Sequence, residues 1–268
     1  MRTLLVILVW AAVNPVLAGD ASRFNFLYGE LLSQYWRPTQ TIHGIETTVF
    51  DYGAMQREAG PLIEEIFSSL GQFDPSTLRD DRDDNETKAF WINVYNFAAM
   101  RMVVNAYPVD SITSFKISLI KHPWSKRSIQ VGGRWYSLTE IEQEILLQRF
   151  NDPRIIFAVS CAAVSCPDRH AELFESARLE NQLDDLIKNF FLNPKKGLFL
   201  NRETNTLTLA WILKKDGHLF QDDEERVVAF VKPYLDKEQR HWLASHKVTL
   251  EYFEHDWTLN DLAQADGR

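Results

Sequence analysis

Lys88-Ala89-Phe90-Trp91-Ile92-Asn93-Val94-Tyr95-Asn96-Phe97-Ala98-Ala99-Met100-Arg101-Met102-Val103-Val104 is apolar nearly all the way round a helical wheel. A surface helix carries one apolar stripe, so a segment apolar on every side predicts a helix buried at the centre of a domain. Its expected span is about Thr87 to Tyr107, where Pro108 stops it. Asn93 and Asn96, three residues apart, share a face of this helix, and amides buried there need hydrogen-bond partners.

Regular patterns continue on both sides. Phe24, Phe26, Leu27, Leu31, Leu32 and Tyr35 recur with helical period over residues 24–36. Gly44 to Gly53 reads as a short strand or hairpin around Thr47-Thr48-Val49-Phe50, and residues 54–70 as another helix. The aspartate-rich run from Asp74 to Asn85 reads as a solvated loop. Downstream, Gly132-Gly133 between Ser128-Ile129-Gln130-Val131 and Arg134-Trp135-Tyr136 predicts a hairpin. Ser137-Leu138-Thr139-Glu140 has capping-box spacing and opens a helix through about Arg149. Asp152-Pro153 turns the chain into Arg154-Ile155-Ile156-Phe157-Ala158-Val159, which reads as a buried strand. A helix over Ser176 to Asn193 follows, closed by Pro194 and Gly197, and then a hairpin pairing Leu198-Phe199-Leu200 with Leu207-Thr208-Leu209. A helix around Asp222 to Tyr234, a short one near His241-Trp242-Leu243 and a strand Val248 to Tyr252 complete the chain. With no repeat and no flexible linker, the expected fold is α+β: a single compact domain with a buried central helix, short antiparallel hairpins and a strand leading into a cysteine loop.

The first residues have the composition of an export signal: Arg2, an apolar stretch from Leu4 to Val13, and Val16-Leu17-Ala18 before Gly19. Residues 1–18 are therefore expected to be a signal peptide and the protein to be periplasmic or secreted, with no stable membrane insertion after signal removal. Residues 19–84 are expected to form an N-terminal helical extension and 85–262 the main domain. The formal charge of −8, with no Lys/Arg cluster, argues against nucleic acid as a partner. Eight tryptophans and seventeen phenylalanines point to a packed interior.

The only two cysteines lie in Ser160-Cys161-Ala162-Ala163-Val164-Ser165-Cys166-Pro167. Three chemistries suit that loop. Cys161, at the end of an apolar run, is placed as a presented nucleophile; Cys166 precedes Pro167 and has the position of a helix N-cap, where the dipole lowers a thiol pKa. Asn93, Asn96 and Gln143 are candidate orienters or oxyanion donors, and His122, His170 and His218 candidate bases. In an oxidising compartment the pair can instead form a bridge, if the α-carbons approach within about 7 Å. Cys161, Cys166 and His170 also make a Cys-x4-Cys-x3-His array, a weak zinc pattern without a second pair. His255, beside Asp256, is a possible polar partner but reads more simply as a surface histidine.

Five segments in order resemble the DUF547 family: Lys88 to Asn96; Tyr107-Pro108 to Ser111-Ile112; Ser137-Leu138-Thr139-Glu140-Ile141-Glu142; the Cys161 to Pro167 loop; and Asp256-Trp257-Thr258-Leu259-Asn260. The resemblance covers about residues 85–260 and implies a fold and a candidate pocket rather than a reaction. The chain departs from the family pattern where Gln143 and Ile156 stand in place of histidines. It departs again where Lys215-Asp216 and Leu219 replace a Trp-Tyr pair and an acidic residue. The lost histidine favours a bridge over a catalytic thiol.

The expected site is accordingly Cys161, Cys166, Asn93 and Gln143 for any catalysis, with Asn96, Tyr95, Trp91 and His170 for ligand binding, and no metal or cofactor. Its partner is a small-molecule or peptide ligand, either peptide-like or thiol-containing. The chemistry is thiol-dependent hydrolysis or acyl transfer, or else none, in a binding module held by a Cys161–Cys166 disulfide.

Overall fold

The computed structural model describes residues 21–78, 84–119, 122–169 and 171–267. The expected signal segment lies outside them, as does part of the aspartate-rich run.

The apolar stretch forms the central helix of an α+β fold, as expected. Three helices precede it: α1 (Ser22–Tyr35), α2 (Tyr52–Glu58) and α3 (Gly60–Gln72), with the hairpin β1 (Trp36–Ile42) and β2 (Ile45–Phe50) inserted after α1. The central helix α4 (Asn85–Ala106) starts at Asp84, whose carboxylate accepts from the Glu86 N–H, and every residue from Thr87 to Met100 is buried. Its aromatic residues meet α1 edge-on, Phe24 against Phe90 at 5.8 Å and Tyr28 against Phe97 at 5.5 Å. Each buried ring of this size contributes roughly 1.5–3 kcal/mol through loss of apolar surface to water. One continuous core therefore joins α1, α3 and α4 to the later elements.

After α4 come the hairpin β3 (Arg127–Val131) and β4 (Arg134–Ser137), then a π-helical segment, Glu140–Leu147, that runs into α5 (Gln148–Phe150). The capping box forms: the Ser137 N–H donates to Glu140 at 2.7 Å and the Glu140 N–H to Ser137 Oγ at 3.1 Å. The wider π-helical turn is a departure from a plain helix, and such turns concentrate at functional sites.

Residues Ile155–Ala158 form a one-turn helix, α6, rather than the expected strand. Four apolar residues are too few for periodicity to separate the two. The Asp152 carboxylate accepts from the Arg154 N–H at 3.0 Å and starts the helical turn. Beyond lie α7 (Leu179–Phe191), β5 (Leu198–Asn201), β6 (Thr206–Leu209), α8 (Trp211–Lys215), α9 (Glu224–Val231), α10 (Lys237–Ser245) and β7 (Thr249–Tyr252). β5 and β6 pair antiparallel, and β7 adds parallel to β6. Gly197, between α7 and β5, is obligatory because a Cβ there would lie 1.9 Å from the Phe190 carbonyl oxygen.

Candidate functional site

The cysteine loop is clamped on two sides. At its entry, the Asn96 side chain donates to the Ala158 carbonyl and accepts from the Ser160 N–H, at 2.8 and 2.9 Å. At its exit, the chain terminus returns: the Val164 N–H donates to Thr258 O, the Asn260 N–H to Ala162 O, and the Asp256 N–H to Ser165 Oγ. Ala162 takes a left-handed conformation (φ 57°), which turns the loop back on itself. Cys161 and Cys166 are thereby brought together as a disulfide, with α-carbons 6.1 Å apart.

This bridge lines a cavity of about 400 Å³. Trp124, Trp211 and Trp257 form its aromatic wall, meeting at right angles with ring centres 5.5 to 5.6 Å apart. The π-helical segment contributes Glu142 and Gln143, and α8 contributes Lys215. His255 completes it, with Nε2 3.7 Å from Cys161 Sγ and its ring packed against Trp211 at 4.5 Å and Trp257 at 4.1 Å. Burial pushes the His255 pKa down to about 4, against the opposing pull of Asp256, so the imidazole is neutral at neutral pH. The Asp256 carboxylate does not orient His255; it pairs with His43 at 2.9 Å.

Glu142 is buried, and its carboxylate meets Lys215 at 2.9 Å and the Tyr95 hydroxyl at 3.4 Å. Burial raises the Glu142 pKa, and the Lys215 ammonium opposes that rise. The Tyr95 hydroxyl also accepts from the Trp124 indole N–H at 3.1 Å, which locks one aromatic wall to the central helix.

The expected site residues divide. Cys161, Cys166, Gln143 and Tyr95 line the cavity. Asn93 lies on the other side of α4, where it clamps Phe174 through both its backbone groups at 2.8 and 3.1 Å. Asn96 acts on the loop from behind, and Trp91 packs in the core against Tyr136 at 5.1 Å. His170 lies outside the described residues. Of the candidate bases, His122 lines the cavity beside Trp124, and His218 sits in a separate turn, Gly217–Phe220. The histidine that meets the cysteines is His255. Its one signal in the sequence was its place in the terminal segment His255-Asp256-Trp257. Lys215 was marked only as a departure from the family pattern, and Trp211 carried no signal of its own.

Two of the positions where the chain departs from the family pattern, Gln143 and Lys215, face this one cavity, and a third, Ile156, is fully buried in the core. Among the described residues no helix is long and apolar enough to cross a membrane. No curated protein and no solved structure matches the chain. A family model does, that of DUF547, described as a protein of unknown function, over residues 80–191. That stretch spans the central helix, the π-helical turn and the cysteine loop, and over it the chain is similar to the DUF547 family.

Proposed function

We propose that the cavity binds a small thiol-containing ligand and that the Cys161–Cys166 bridge exchanges with its thiol. One observation carries this reading: a disulfide lies in the wall of an aromatic cavity of about 400 Å³, with an imidazole 3.7 Å from its Cys161 sulfur. A disulfide that served only to staple a turn would need neither a cavity nor a base beside it. The three tryptophans accept the apolar part of a ligand, and the Glu142–Lys215 pair offers both signs of charge to a polar end.

In the exchange, the ligand thiolate attacks Cys161 Sγ, the S–S bond breaks, and Cys166 leaves with the electron pair and takes up a proton. A second ligand thiolate attacks the ligand sulfur of the mixed disulfide, and Cys161 departs as a thiolate beside His255 and is protonated in turn. Two ligand thiols become one ligand disulfide, and the protein bridge becomes two thiols.

The Cys161–His255 separation favours a second reading for the opened form. There Cys161 is the nucleophile of an acyl transfer and His255 accepts its proton.

Native protein exposed to a small aminothiol and quenched with acid tests the first reading. Mass analysis is expected to locate a mixed disulfide on Cys161. A bridge that stays intact in folded protein, while unfolded protein is reduced under the same conditions, would remove it. Phosphine-reduced protein given an activated thioester tests the second, with a Cys161 acyl adduct expected and its absence decisive against acyl transfer.

A further inference from the structure

The bridge and the imidazole bring three donor atoms together: Cys161 Sγ, Cys166 Sγ and the near nitrogen of His255 all lie within 4.8 Å of one another, and all three side chains face the cavity. We propose that, once the bridge is reduced, these three side chains form a zinc site whose fourth position opens into the cavity. The inference relies on the proposed function only in that the bridge must open, and a chemical reductant can open it without the ligand.

The ligand chemistry selects the ion. Two thiolates and an imidazole suit a borderline-soft divalent ion, whereas hard ions such as magnesium and calcium take oxygen donors. The charges close as well, since two thiolates neutralise a divalent ion and leave the imidazole uncharged.

The geometry agrees. Zinc–sulfur and zinc–nitrogen bonds of about 2.3 and 2.0–2.1 Å at a tetrahedral angle hold sulfur and nitrogen about 3.6 Å apart. Cys161 Sγ and His255 Nε2 are already 3.7 Å apart. The two sulfurs must separate to about 3.8 Å in such a site, a side-chain motion that leaves the clamped backbone in place.

The surroundings resemble a supported metal site. Trp211 and Trp257 both pack against the imidazole, tilted to it at 44° and 58°, and restrict its orientation. The carbonyl of Cys166 is tied down by the Lys196 ammonium at 3.2 Å, and the Cys166 N–H donates to Ala163 O at 3.0 Å. Three protein ligands with a fourth position facing a ligand-sized space is the arrangement of a catalytic zinc rather than a structural one. The array read from spacing alone used His170, which lies outside the described residues; among those described, the histidine at the two sulfurs is His255.

Reduction consumes two electrons and two protons: a phosphine supplies the electrons and becomes its oxide, and the water that gives the oxide its oxygen supplies the protons. Binding of the ion then displaces the two thiol protons. The test uses the full chain, reduced with phosphine and freed of it without oxygen, and titrated with cobalt(II) as a spectroscopic stand-in. The expected result is one ion per chain, with a thiolate-to-cobalt charge-transfer band in the near ultraviolet and intense ligand-field bands of tetrahedral cobalt. Stoichiometric zinc should bleach both. His255→Gln is expected to weaken the affinity at least about tenfold, and Cys161→Ser to remove most of the charge-transfer band.

Should either variant fail to fold, X-ray absorption of the zinc-loaded wild type counts the ligands directly, with two sulfurs and one imidazole nitrogen expected. Absence of the bands in folded, reduced wild type would overturn the proposal, as would undiminished affinity in folded His255→Gln or equal binding by oxidised protein. Failure of thiol exchange by the native bridge would overturn the proposed function and leave this site standing, because the phosphine bypasses that step.

Discussion

Two lysines in this molecule are drawn from water by the same fold and have opposite outcomes. Lys196 is fully buried, and its ammonium donates among Thr47 Oγ1, Asp168 Oδ1 and the carbonyls of Val164 and Cys166, at 2.9 to 3.2 Å. Burial pulls its pKa down, and the single carboxylate of Asp168 only partly opposes that. Lys215 keeps a third of its side chain in solvent at the cavity edge and faces two buried carboxylates, Glu142 at 2.9 Å and Asp216 at 3.2 Å. Burial lowers its pKa too, but the two carboxylates outweigh burial and the ammonium sits above its ordinary range. The first lysine is a strut of the cysteine loop, holding two of its carbonyls. The second carries charge to the place where a ligand would meet it. What separates a structural ion from an available one is therefore the environment of the side chain rather than its residue type.

The largest effect should come from removing the strut. Lys196→Met removes the cation beside Asp168, which keeps the Thr48 N–H, and a donor to two loop carbonyls; it is expected to cost about 3 kcal/mol in urea unfolding, the low end for a broken buried pair because Asp168 is partly solvated. A cost below about 1 kcal/mol would erase the distinction between the two lysines.

Glu142→Gln should be much milder, within about 1 kcal/mol at pH 7, because Lys215 keeps Asp216 and its solvent access. Its sign with pH sharpens the contrast. The folded Glu142 carboxyl holds its proton more tightly than the unfolded one, so its contribution is fully present below the unfolded value of about 4.3 and is lost as pH rises through the raised folded value. The variant lacks that decline, so its stability relative to wild type should be more favourable at pH 7 than at pH 4. The reverse order in parallel denaturation curves would mean that Lys215, and not burial, controls this carboxyl.

The smallest effect belongs to a pair that the core does not touch. Arg202 and Glu238 meet on the surface, both well exposed. Arg202→Ala is expected to change stability by less than about 0.5 kcal/mol and to leave the cavity unaltered by tryptophan fluorescence. A larger loss would show that exposure is a poor guide to which ion pairs matter here.

Much of the local structure could be read before folding. The all-round apolar stretch of α4, the Gly132-Gly133 hairpin and the Ser137–Glu140 capping box rest on periodicity and turn chemistry, which act over a few residues. Ile155–Ala158 resisted because one apolar turn of helix and a short buried strand have the same composition. At the site, the spacing of Asn93 and Asn96 marked buried amides in need of partners, and both found backbone groups. It did not show that these partners lie behind the loop rather than in the cavity. His255 was visible only as a polar neighbour of Trp257, because nothing local announces that the terminus returns to pair with Val164 and Ala162.

By itself, then, the sequence determined a buried central helix, the hairpins around it and a cysteine loop of potential chemistry, since each follows from forces between near neighbours along the chain. Only the tertiary structure decided that the two cysteines are bridged, that His255 meets them, and that three tryptophans from separate segments enclose them. Those distances depend on how whole elements pack against α4, and packing answers to the shape of the entire core rather than to spacing in the chain.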